Sequence, residues 1–394
     1  MKKTILIVNN NMQVGGVQKS LYNLLWSLDT VNQYDVTLFL FCKTGEYVND
    51  LPPGVKVEES KGFFRYLGKS QSEFRNLRDA LVRGLFALIS RLFGRTTALK
   101  LMLLFEPIHE GTYDYAISFL HNGRAEAFYG GTQDYVLNRI KAKKKIAFLH
   151  CDYNNCGANN KDNNRMMAQF DAIAACSDGC RAVFESALPH LKDKCVTVRN
   201  CHRYNEIKTN AGTEPQHYDS QFINVITVAR LSHEKAIDRG IKAVKNSLEN
   251  GIQVKYHIVG GGSEYEKLLE LTKTLGMENN VVFYSEQSNP YRFMKNADLF
   301  LLTSYHEAAP MVIDEAVCLG LPVLTTQTTS SQEMVTNEGC GWVCENSQEA
   351  LNEALFAVLS DKNELKAIKS RLLTRQADNS KALAQFGALL KDQK

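Results

Sequence analysis

The sequence predicts an α/β protein with two Rossmann-like domains in tandem. Two observations carry this prediction: short apolar segments of strand type alternate with amphipathic segments of helix type, and a polar stretch divides the series near its middle. The alternation is typical of parallel sheets covered by helices. With 394 residues, the chain is long enough for two or three domains.

The first domain is predicted over residues 1–200. Its strands cover residues 4–8, 36–41, 115–119, 146–149, 172–175 and 196–198, and its first helix covers residues 17–28. Lys2 and Lys3 precede the first strand, but three asparagines follow it, so the apolar stretch is too short for a signal peptide. No apolar stretch of the sequence reaches the roughly 18 to 20 residues that a transmembrane helix needs. We therefore expect a cytoplasmic protein.

The second domain is predicted over residues 201–375, and residues 200–220 are polar enough to be the linker. Its strands cover residues 224–228, 255–259, 281–284, 298–302 and 323–325, and its helices cover residues 238–249, 263–275, 291–296, 311–318, 348–360 and 364–375. In open parallel sheets, ligands bind beyond the carboxyl ends of the strands. Two facing domains would therefore hold a ligand in the cleft between them.

Positive charge is concentrated in the first half of the chain. The net charge of the whole chain is +3, but residues 1–200 carry 26 Lys and Arg against 19 Asp and Glu. The basic residues of segment 61–105 are Lys61, Arg65, Lys69, Arg75, Arg78, Arg83, Arg91, Arg95 and Lys100. Apolar residues at helical spacing between them predict basic amphipathic helices, which suit an anionic membrane surface or pack their apolar side on the domain. No nucleic-acid motif accompanies the charge, so we expect no nucleic-acid partner.

The ten cysteines are interpreted as reduced thiols. The chain needs no disulfides to stabilise its core, and a reducing cytosol keeps thiols free. No C-x-x-C pair occurs. The closest approach to a zinc pattern matches no common zinc finger; it consists of His150, Cys151, Cys156 and the pairs Cys176 with Cys180 and Cys340 with Cys344. The sequence therefore predicts no metal site.

Gly15 and Gly16 lie between the first strand and the first helix, where phosphates often bind. Glycine lets backbone amides approach an anion closely. The segment is not G-x-G-x-x-G, which argues against a nicotinamide dinucleotide. A purely structural tight turn is the alternative.

Arg230 and Lys235 follow the first strand of the second domain. At the carboxyl end of a strand, their charges could clamp a diphosphate. The alternative is a surface pair with Glu234.

Residues 304–316, SYHEAAPMVIDEA, follow a strand and open a helix at Pro310. Glu307 and Glu315 are eight residues apart, about 12 Å along a helix, which exceeds the roughly 5 to 9.5 Å between paired glycosidase carboxylates. We therefore expect the two acids to hold opposite ends of one elongated ligand. The first helical amides, at Met311 and Val312, could bind a phosphate between them.

Several of these motifs together resemble the retaining glycosyltransferases of family 4. They are Val14-Gly15-Gly16-Val17, Val228-Ala229-Arg230-Leu231 with Lys235, Val259-Gly260-Gly261-Gly262, Glu307-x7-Glu315, and Cys318-Leu319-Gly320-Leu321-Pro322-Val323. The resemblance implies a GT-B fold with two facing Rossmann-like domains. It also implies a metal-independent transfer, with retention, from a nucleotide-sugar donor, most often a UDP-sugar, to a saccharide or lipid-linked acceptor of surface-polysaccharide or glycoconjugate synthesis.

The same resemblance implies roles for individual residues. Arg230 and Lys235 would neutralise the donor diphosphate, and Glu315 would bind the ribose hydroxyls. Glu307 would contact the donor sugar, and His150, at the end of a first-domain strand, matches a cleft histidine of the family. The C-terminal residues 376–394 would form a helix that crosses back to the first domain.

Two other functions remain open from the sequence. A nucleotide-sugar epimerase or phosphorylase could use the same fold. A non-catalytic nucleotide-sugar sensor or partner subunit would bind the donor without turnover. For the transferase, the basic segment 61–105 favours a peripheral location on the inner face of the cytoplasmic membrane.

Overall fold

The computed structural model describes residues 2–74 and 76–391 and divides the chain into two units. Unit 1 comprises Met1–Cys201 and Asn379–Lys394, and unit 2 comprises His202–Asp378. The sequence places the first boundary one residue earlier, after residue 200. Arg75 and residues 392–394, which belong to the predicted basic segment and the predicted C-terminal helix, lie outside the described residues.

Unit 1 contains a seven-stranded parallel sheet with the strand order β3-β2-β1-β4-β5-β6-β7. Its elements, in chain order, are β1 (Lys3–Asn9), α1 (Gly16–Val31), β2 (Tyr34–Leu40), β3 (Lys56–Glu59), α2 (Leu77–Phe93), α3 (Arg95–Leu104), β4 (Thr112–Ser118), α4 (Thr132–Arg139), β5 (Lys141–Leu149), α5 (Lys161–Met167), β6 (Ala172–Ala175), α6 (Asp178–Ala187) and β7 (Cys195–Thr197). Strand order reverses between β1 and β4, which is the topological switch point of a Rossmann-like sheet.

Unit 2 contains a six-stranded parallel sheet with the order β10-β9-β8-β11-β12-β13. Its elements are α7 (Tyr204–Gly212), β8 (Ile223–Val228), α8 (Ile237–Glu249), β9 (Val254–Val259), α9 (Tyr265–Thr274), β10 (Val281–Tyr284), α10 (Tyr291–Met294), β11 (Leu299–Leu302), α11 (Met311–Cys318), β12 (Val323–Thr326), β13 (Gly341–Cys344), α12 (Gln348–Ser360) and α13 (Lys362–Thr374). The order repeats that of unit 1, so the predicted α/β class with two Rossmann-like domains is confirmed.

Both faces of the unit 2 sheet are buried under helices. Along β11, Leu299 and Leu301 belong to one apolar cluster, and Phe300 and Leu302 belong to another. Successive side chains of a strand point to opposite faces, so this division places one cluster on each face of the sheet. Burial on both faces explains why the strand is apolar throughout rather than alternating.

The predicted linker 200–220 is wrong in one respect, because it contains helix α7. Ile207 and Ala211 are buried in the second apolar cluster of unit 2, and α7 packs on α10. The two residues are four positions apart and so share one helix face. The surrounding polar residues hid this narrow apolar face in the sequence.

Two strands escaped the sequence analysis, β3 and β13. Strand β3, Lys-Val-Glu-Glu, lies at the sheet edge, and none of its side chains is fully buried. Strand β13 is the edge strand of the other sheet and is likewise only partly buried. Short edge strands with polar side chains carry little hydrophobic pattern.

The basic segment 61–105 is only partly helical. Phe63–Leu67 forms a short 3-10 turn, and α2 and α3 follow it. In α3, Ala98, Leu99 and Met102 are buried, so this helix packs its apolar side on unit 1. Arg95, one of the basic residues of this segment, does not lie on the surface. Its guanidinium is buried and lies 3.6 Å from the Asp134 carboxylate.

Helix α2 leaves a row of leucines uncovered. Leu77, Leu81, Leu85, Leu88 and Leu92 are each at least 52% exposed, although spacings of three and four residues place them along one side of the helix. We refer to these five residues as the α2 leucine row. Phe86, on another side of the same helix, is buried against Phe63 and Phe128, so the alternative that α2 packs on the domain holds for that side and not for the leucine row. In the described part of the chain, no helix combines the length and apolarity needed to cross a bilayer.

The C-terminal helix α14 (Ser380–Leu390) belongs to unit 1. Ala382, Phe386 and Leu389 join the apolar core that contains residues of β1 and β2. In addition, the Gln385 side-chain oxygen accepts a hydrogen bond of 3.1 Å from the Arg199 amide. Helix α14, which follows unit 2 in the sequence, therefore completes the core of unit 1.

His257 on β9 gives unit 2 a pH-dependent stability. Its Nε2 lies 3.0 Å from Asn224 Oδ1, and burial, with a smaller effect of the Lys255 charge, lowers its pKa to about 4. The ordinary pKa is about 6.5. Below about pH 6.5, His257 binds a proton in the unfolded chain but stays neutral in the folded protein until the pH approaches 4. Unit 2 therefore loses up to about 1.4 kcal/mol of stability per pH unit as the pH falls from about 6.5 towards 4.

We expect His257→Gln to remove this slope. The measurement is the urea midpoint between about pH 7 and pH 5, followed by the fluorescence of Trp342 in a Trp26→Phe background so that only unit 2 reports. His306→Gln, a change at an exposed position, is the control. An equally steep slope in His257→Gln would contradict the assignment.

Candidate functional site

The candidate site of unit 2 lies at its topological switch point. The loop after β8, residues 229–236, and the loop after β11, residues 303–310, begin at the carboxyl ends of neighbouring strands. Ligands of open parallel sheets bind at this position. The structure therefore brings together two loops that are about 70 positions apart in the sequence.

Lys235 and Glu307, two of the predicted site residues, are in direct contact. Lys235 Nζ lies 2.5 Å from Glu307 Oε1, and the same oxygen accepts a hydrogen bond of 2.7 Å from Ser304 Oγ. The Glu307 side chain is only 10% exposed. A partly buried ion pair with an added hydroxyl donor fixes the carboxylate more firmly than an exposed pair would.

Backbone hydrogen bonds hold the two loops together around this pair. The Tyr305 amide donates to the Glu234 carbonyl at 2.9 Å. Thr303 Oγ1 donates to the carbonyls of Lys235 and Ala236 at 3.0 and 2.9 Å. Since each loop satisfies polar groups of the other, the distance between Lys235 and Glu307 is set by the fold.

Arg239 and Asn346 support the loop after β11 and were missed by the sequence analysis. Arg239 is 4% exposed, its Nη1 donates to Asn346 Oδ1 at 2.6 Å, and its guanidinium lies over the Tyr305 ring at 5.1 Å. The Asn346 amide donates in turn to the Tyr305 carbonyl at 3.1 Å. An arginine inside a helix and an asparagine 107 positions away give no local signal of this contact.

The glycines of residues 260–262 allow the loop after β9 to touch the Arg230 loop. A Cβ on Gly260 would lie 1.9 Å from the Ala229 carbonyl oxygen, and one on Gly262 would lie 2.3 Å from the Leu231 carbonyl oxygen. Both residues also have positive φ, 146° and 154°. Only glycine fits this close approach. Gly260 and Gly262 therefore let the backbone after β9 pack directly against the backbone of the Arg230 loop.

Arg230 itself is exposed, at the position predicted for a diphosphate clamp. Burial acts to raise the pKa of Glu234, but the net shift is downward. A hydrogen bond from Ser232, a backbone hydrogen bond and the charges of Arg230 and Lys235 produce this lowering. The direct partner of Lys235 is Glu307 rather than Glu234. The surface-pair alternative is therefore wrong for Lys235.

Helix α11 carries the remaining predicted residues of unit 2. Glu315 is 3% exposed, and Met311 and Val312 occupy the first two helical positions after Pro310. No side chain caps this helix start, and the first amides of a helix have no acceptor within it. The helix start therefore leaves the amides of Met311 and Val312 without a side-chain cap, and anion binding there stays a prediction.

In unit 1, Gly15 and Gly16 start helix α1 after the switch-point strand β1. Gly15 has an extended backbone, with φ 177°. Apart from its chain neighbours and the backbone of its own helix, no atom of the described residues lies within 4 Å of a Cβ built on Gly16. The structure thus gives Gly16 no steric reason to be glycine.

His150 directly follows β5, as predicted. The centroid of its ring lies 4.5 Å from that of Phe119, with the ring planes tilted by 40°. Among the described residues its Nε2 has no hydrogen-bond partner. Burial, with a smaller effect of His121, lowers the pKa of His150 to about 3. His150 is therefore neutral at pH 7 and can accept or donate a hydrogen bond there.

Comparison with known proteins gives a family for part of the chain. Residues 214–372 match the family described as glycosyl transferases group 1. An uncharacterized glycosyltransferase of Methanocaldococcus jannaschii is 29% identical over 174 residues, which are 43% of each chain. The lipopolysaccharide glucosyltransferase WaaG of Escherichia coli is 36% identical over 128 residues, 32% of this chain and 34% of WaaG. These alignments span less than half of each relative.

Solved structures resemble the chain over nearly its whole length. Anabaena HepE in complex with UDP has a TM-score of 0.64 and 18% identity, covering 94% of this chain and 93% of HepE. At this identity the similarity establishes the fold. The structural neighbours are GT-B proteins, which confirms the fold class implied by the resemblance.

Substitution of Gly260 should test whether the backbone approach shapes the site. We expect Gly260→Ala to destabilise unit 2 by about 1 to 3 kcal/mol, because the new Cβ forces the Arg230 loop away or strains the backbone. The urea midpoint reported by Trp342 measures this. Gly261→Ala, whose Cβ would meet Glu286 at an ordinary 3.5 Å, is the matched control. Equal midpoints for the two variants would refute the argument.

Proposed function

We propose, from the premise that residues 214–372 belong to the group 1 glycosyl transferases, that the protein transfers a sugar from a nucleotide-sugar donor to a saccharide or lipid-linked acceptor. The observation that carries the proposal is the contact of Lys235 with Glu307 at the switch point of unit 2. The UDP held by HepE supports a UDP-sugar, and the lipopolysaccharide glucosyltransferase WaaG supports surface-polysaccharide or glycoconjugate synthesis.

The cations of the site act on the leaving group. As the bond between sugar and diphosphate breaks, negative charge grows on the diphosphate oxygens. Arg230 supplies an exposed guanidinium with paired N–H donors, and Lys235 supplies an ammonium held on a rigid loop. Preorganised charges of this kind stabilise the departing diphosphate without reorganising during the reaction.

Glu307 performs two tasks in this proposal. It holds Lys235 in place, and its carboxylate, anchored by Ser304, binds a hydroxyl of the donor sugar next to the diphosphate. Glu315 on α11 binds the ribose hydroxyls, and the amides of Met311 and Val312 bind a phosphate oxygen. Two acids on either side of one helix start thus hold two parts of an elongated donor.

The residues of unit 1 have separate tasks. Gly16, with open space beside it, and Gly15 let a bound phosphate or sugar approach the start of α1. His150, neutral and with a free Nε2, provides a hydrogen bond to the reacting sugar. Transfer occurs with retention and without a divalent metal at the diphosphate, whose charge Arg230 and Lys235 already offset.

A binding measurement tests the donor site. The unfolding temperature is recorded with UDP, GDP, ADP, their common sugar conjugates and NAD. A specific nucleotide at a hundredfold excess over its Kd stabilises the protein by about 2.7 kcal/mol. We expect UDP to do so and Glu315→Gln to weaken the effect. Stabilisation by NAD alone would contradict a nucleotide-sugar donor.

A kinetic measurement tests the ion pair. Lys235→Met should lower the transfer rate on the order of 10²-fold, because the leaving diphosphate loses a fixed charge. Glu307→Gln should also lower it, and the double variant should lose less than the product of the two effects, because the residues are in contact. Glu278→Gln, an exposed change in unit 2, should have no effect. Donor binding without turnover in the wild type would favour a sensor instead.

The α2 leucine row supports a peripheral location on an anionic membrane. Arg78 and Arg91 are exposed on the same helix, and Arg65 and Lys100 are exposed on neighbouring segments. Exposed leucines flanked by basic side chains are the pattern of an interfacial helix. A lipid-linked acceptor would be presented at such a surface.

Vesicle binding tests this location. We expect anionic vesicles at low salt to retain the protein, and added salt to weaken retention by screening the arginines and lysines. The variant Leu81→Gln, Leu85→Gln, Leu88→Gln should bind several-fold less, whereas Leu373→Gln, an exposed leucine of unit 2, should bind normally. If anionic vesicles do not retain the wild type, the membrane location fails while the transferase proposal stands.

A further inference from the structure

Unit 1 contains a cluster of metal-binding side chains that the proposed transfer does not use. His121 follows β4, and Cys151 and Cys156 follow β5. The ligand atoms of these three residues all lie within 4.8 Å of one another. Strands β4 and β5 are neighbours in the sheet, so the carboxyl edge of the sheet brings the three together.

We propose that His121, Cys151 and Cys156 bind one zinc ion. Two cysteine sulfurs and one imidazole nitrogen are a donor set that zinc prefers. Zinc bonds of about 2.3 Å to sulfur and about 2.0 Å to nitrogen, in a tetrahedron, place neighbouring ligand atoms about 3.5 to 3.8 Å apart. The distances between ligand atoms thus have to shorten by at most roughly 1.3 Å, and water fills the fourth position.

The loop after β5 is shaped to return Cys156 to Cys151. Asp152 Oδ1 accepts hydrogen bonds from the amides of Asn154 and Asn155 at 3.1 and 3.0 Å, and the Cys156 amide donates to the Asp152 carbonyl at 3.0 Å. The sulfur atoms of Cys151 and Cys156 lie within 4.8 Å of each other. The Asp152 carboxylate therefore stabilises the turn, and the turn brings the Cys156 sulfur close to the Cys151 sulfur.

The loop that carries His121 is joined to the same turn. Asn163 Nδ2 donates to the Gly123 carbonyl at 3.0 Å and to the Ala158 carbonyl at 2.9 Å. A Cβ on Gly157, which has φ 75°, would lie 2.6 Å from Arg124 Cγ. These contacts between protein groups hold the loop of His121 next to the loop of Cys151 and Cys156.

The imidazole of His121 has an unused nitrogen. In the described structure its Nδ1 is buried and has no hydrogen-bond partner. A buried polar atom without a partner costs about 1 to 3 kcal/mol, and a metal bond would satisfy it. Cys151 is buried, while Cys156 and His121 are partly exposed, which leaves an entry path for the ion.

Metal analysis of the intact protein tests the proposal. The protein is purified without a metal-affinity tag, under reducing conditions, incubated with zinc and desalted. We expect about one zinc ion per chain, and loss of that zinc in Cys156→Ser and in His121→Ala. Cys201→Ser, which changes a buried unit 1 thiol beside Ser27, should keep it. Cobalt in place of zinc should give the visible absorption of a tetrahedral thiolate site.

A second measurement covers variants that fail to fold. In the wild type, zinc should slow alkylation of Cys151 and Cys156 by N-ethylmaleimide at least tenfold relative to protein treated with a chelator, with no change at Cys201. Substoichiometric zinc in the wild type, zinc retained in both ligand variants, or a Cys151–Cys156 disulfide in the reduced preparation would each overturn the proposal.

Discussion

The parallel pairing of the strands is the constraint on which the remaining features depend. All strands of a parallel sheet end at the same edge, and a Rossmann-like order makes the chain leave that edge in opposite directions on either side of the switch point. In unit 2 this places Lys235 against Glu307, and in unit 1 it places His121 against Cys151 and Cys156. Residues that are far apart in the sequence become neighbours because their strands are neighbours.

Much of this could be read from the sequence, because the positions at strand ends are visible as soon as the strands are. The strand that ends at Val228 and the one that ends at Leu302 are short, apolar and followed by charged residues, so Arg230, Lys235 and Glu307 could be singled out. The contact between Lys235 and Glu307 could not, because strand order is a long-range property. The spacing of Glu307 and Glu315 indicated that the two acids hold opposite ends of one ligand. It did not show that Lys235 lies beside Glu307.

The residues that the sequence analysis missed act through partners far along the chain. Arg239 and Arg95 are ordinary basic residues in the sequence, yet each is buried against acceptors: Asn346 for the first, and Asn163 with Asp134 for the second. Arginine tolerates this because its planar fork can satisfy several acceptors at once. The same limitation applies to the cysteines. Rules of spacing along one segment do not recognise a ligand set assembled from the ends of two strands.

The position of α14 sets the order in which the two units can be completed during synthesis. Unit 2 is one continuous stretch, His202–Asp378, and all of its residues are synthesised before those of α14. The core of unit 1 includes Ala382, Phe386 and Leu389, so it can be completed only after α14 has been synthesised, although its first strand was synthesised first. A growing chain therefore lacks the α14 contribution to the core beside β1 and β2 until α14 has left the ribosome, and a chain that stops shortly after residue 378 would retain a complete unit 2 and an unfinished unit 1.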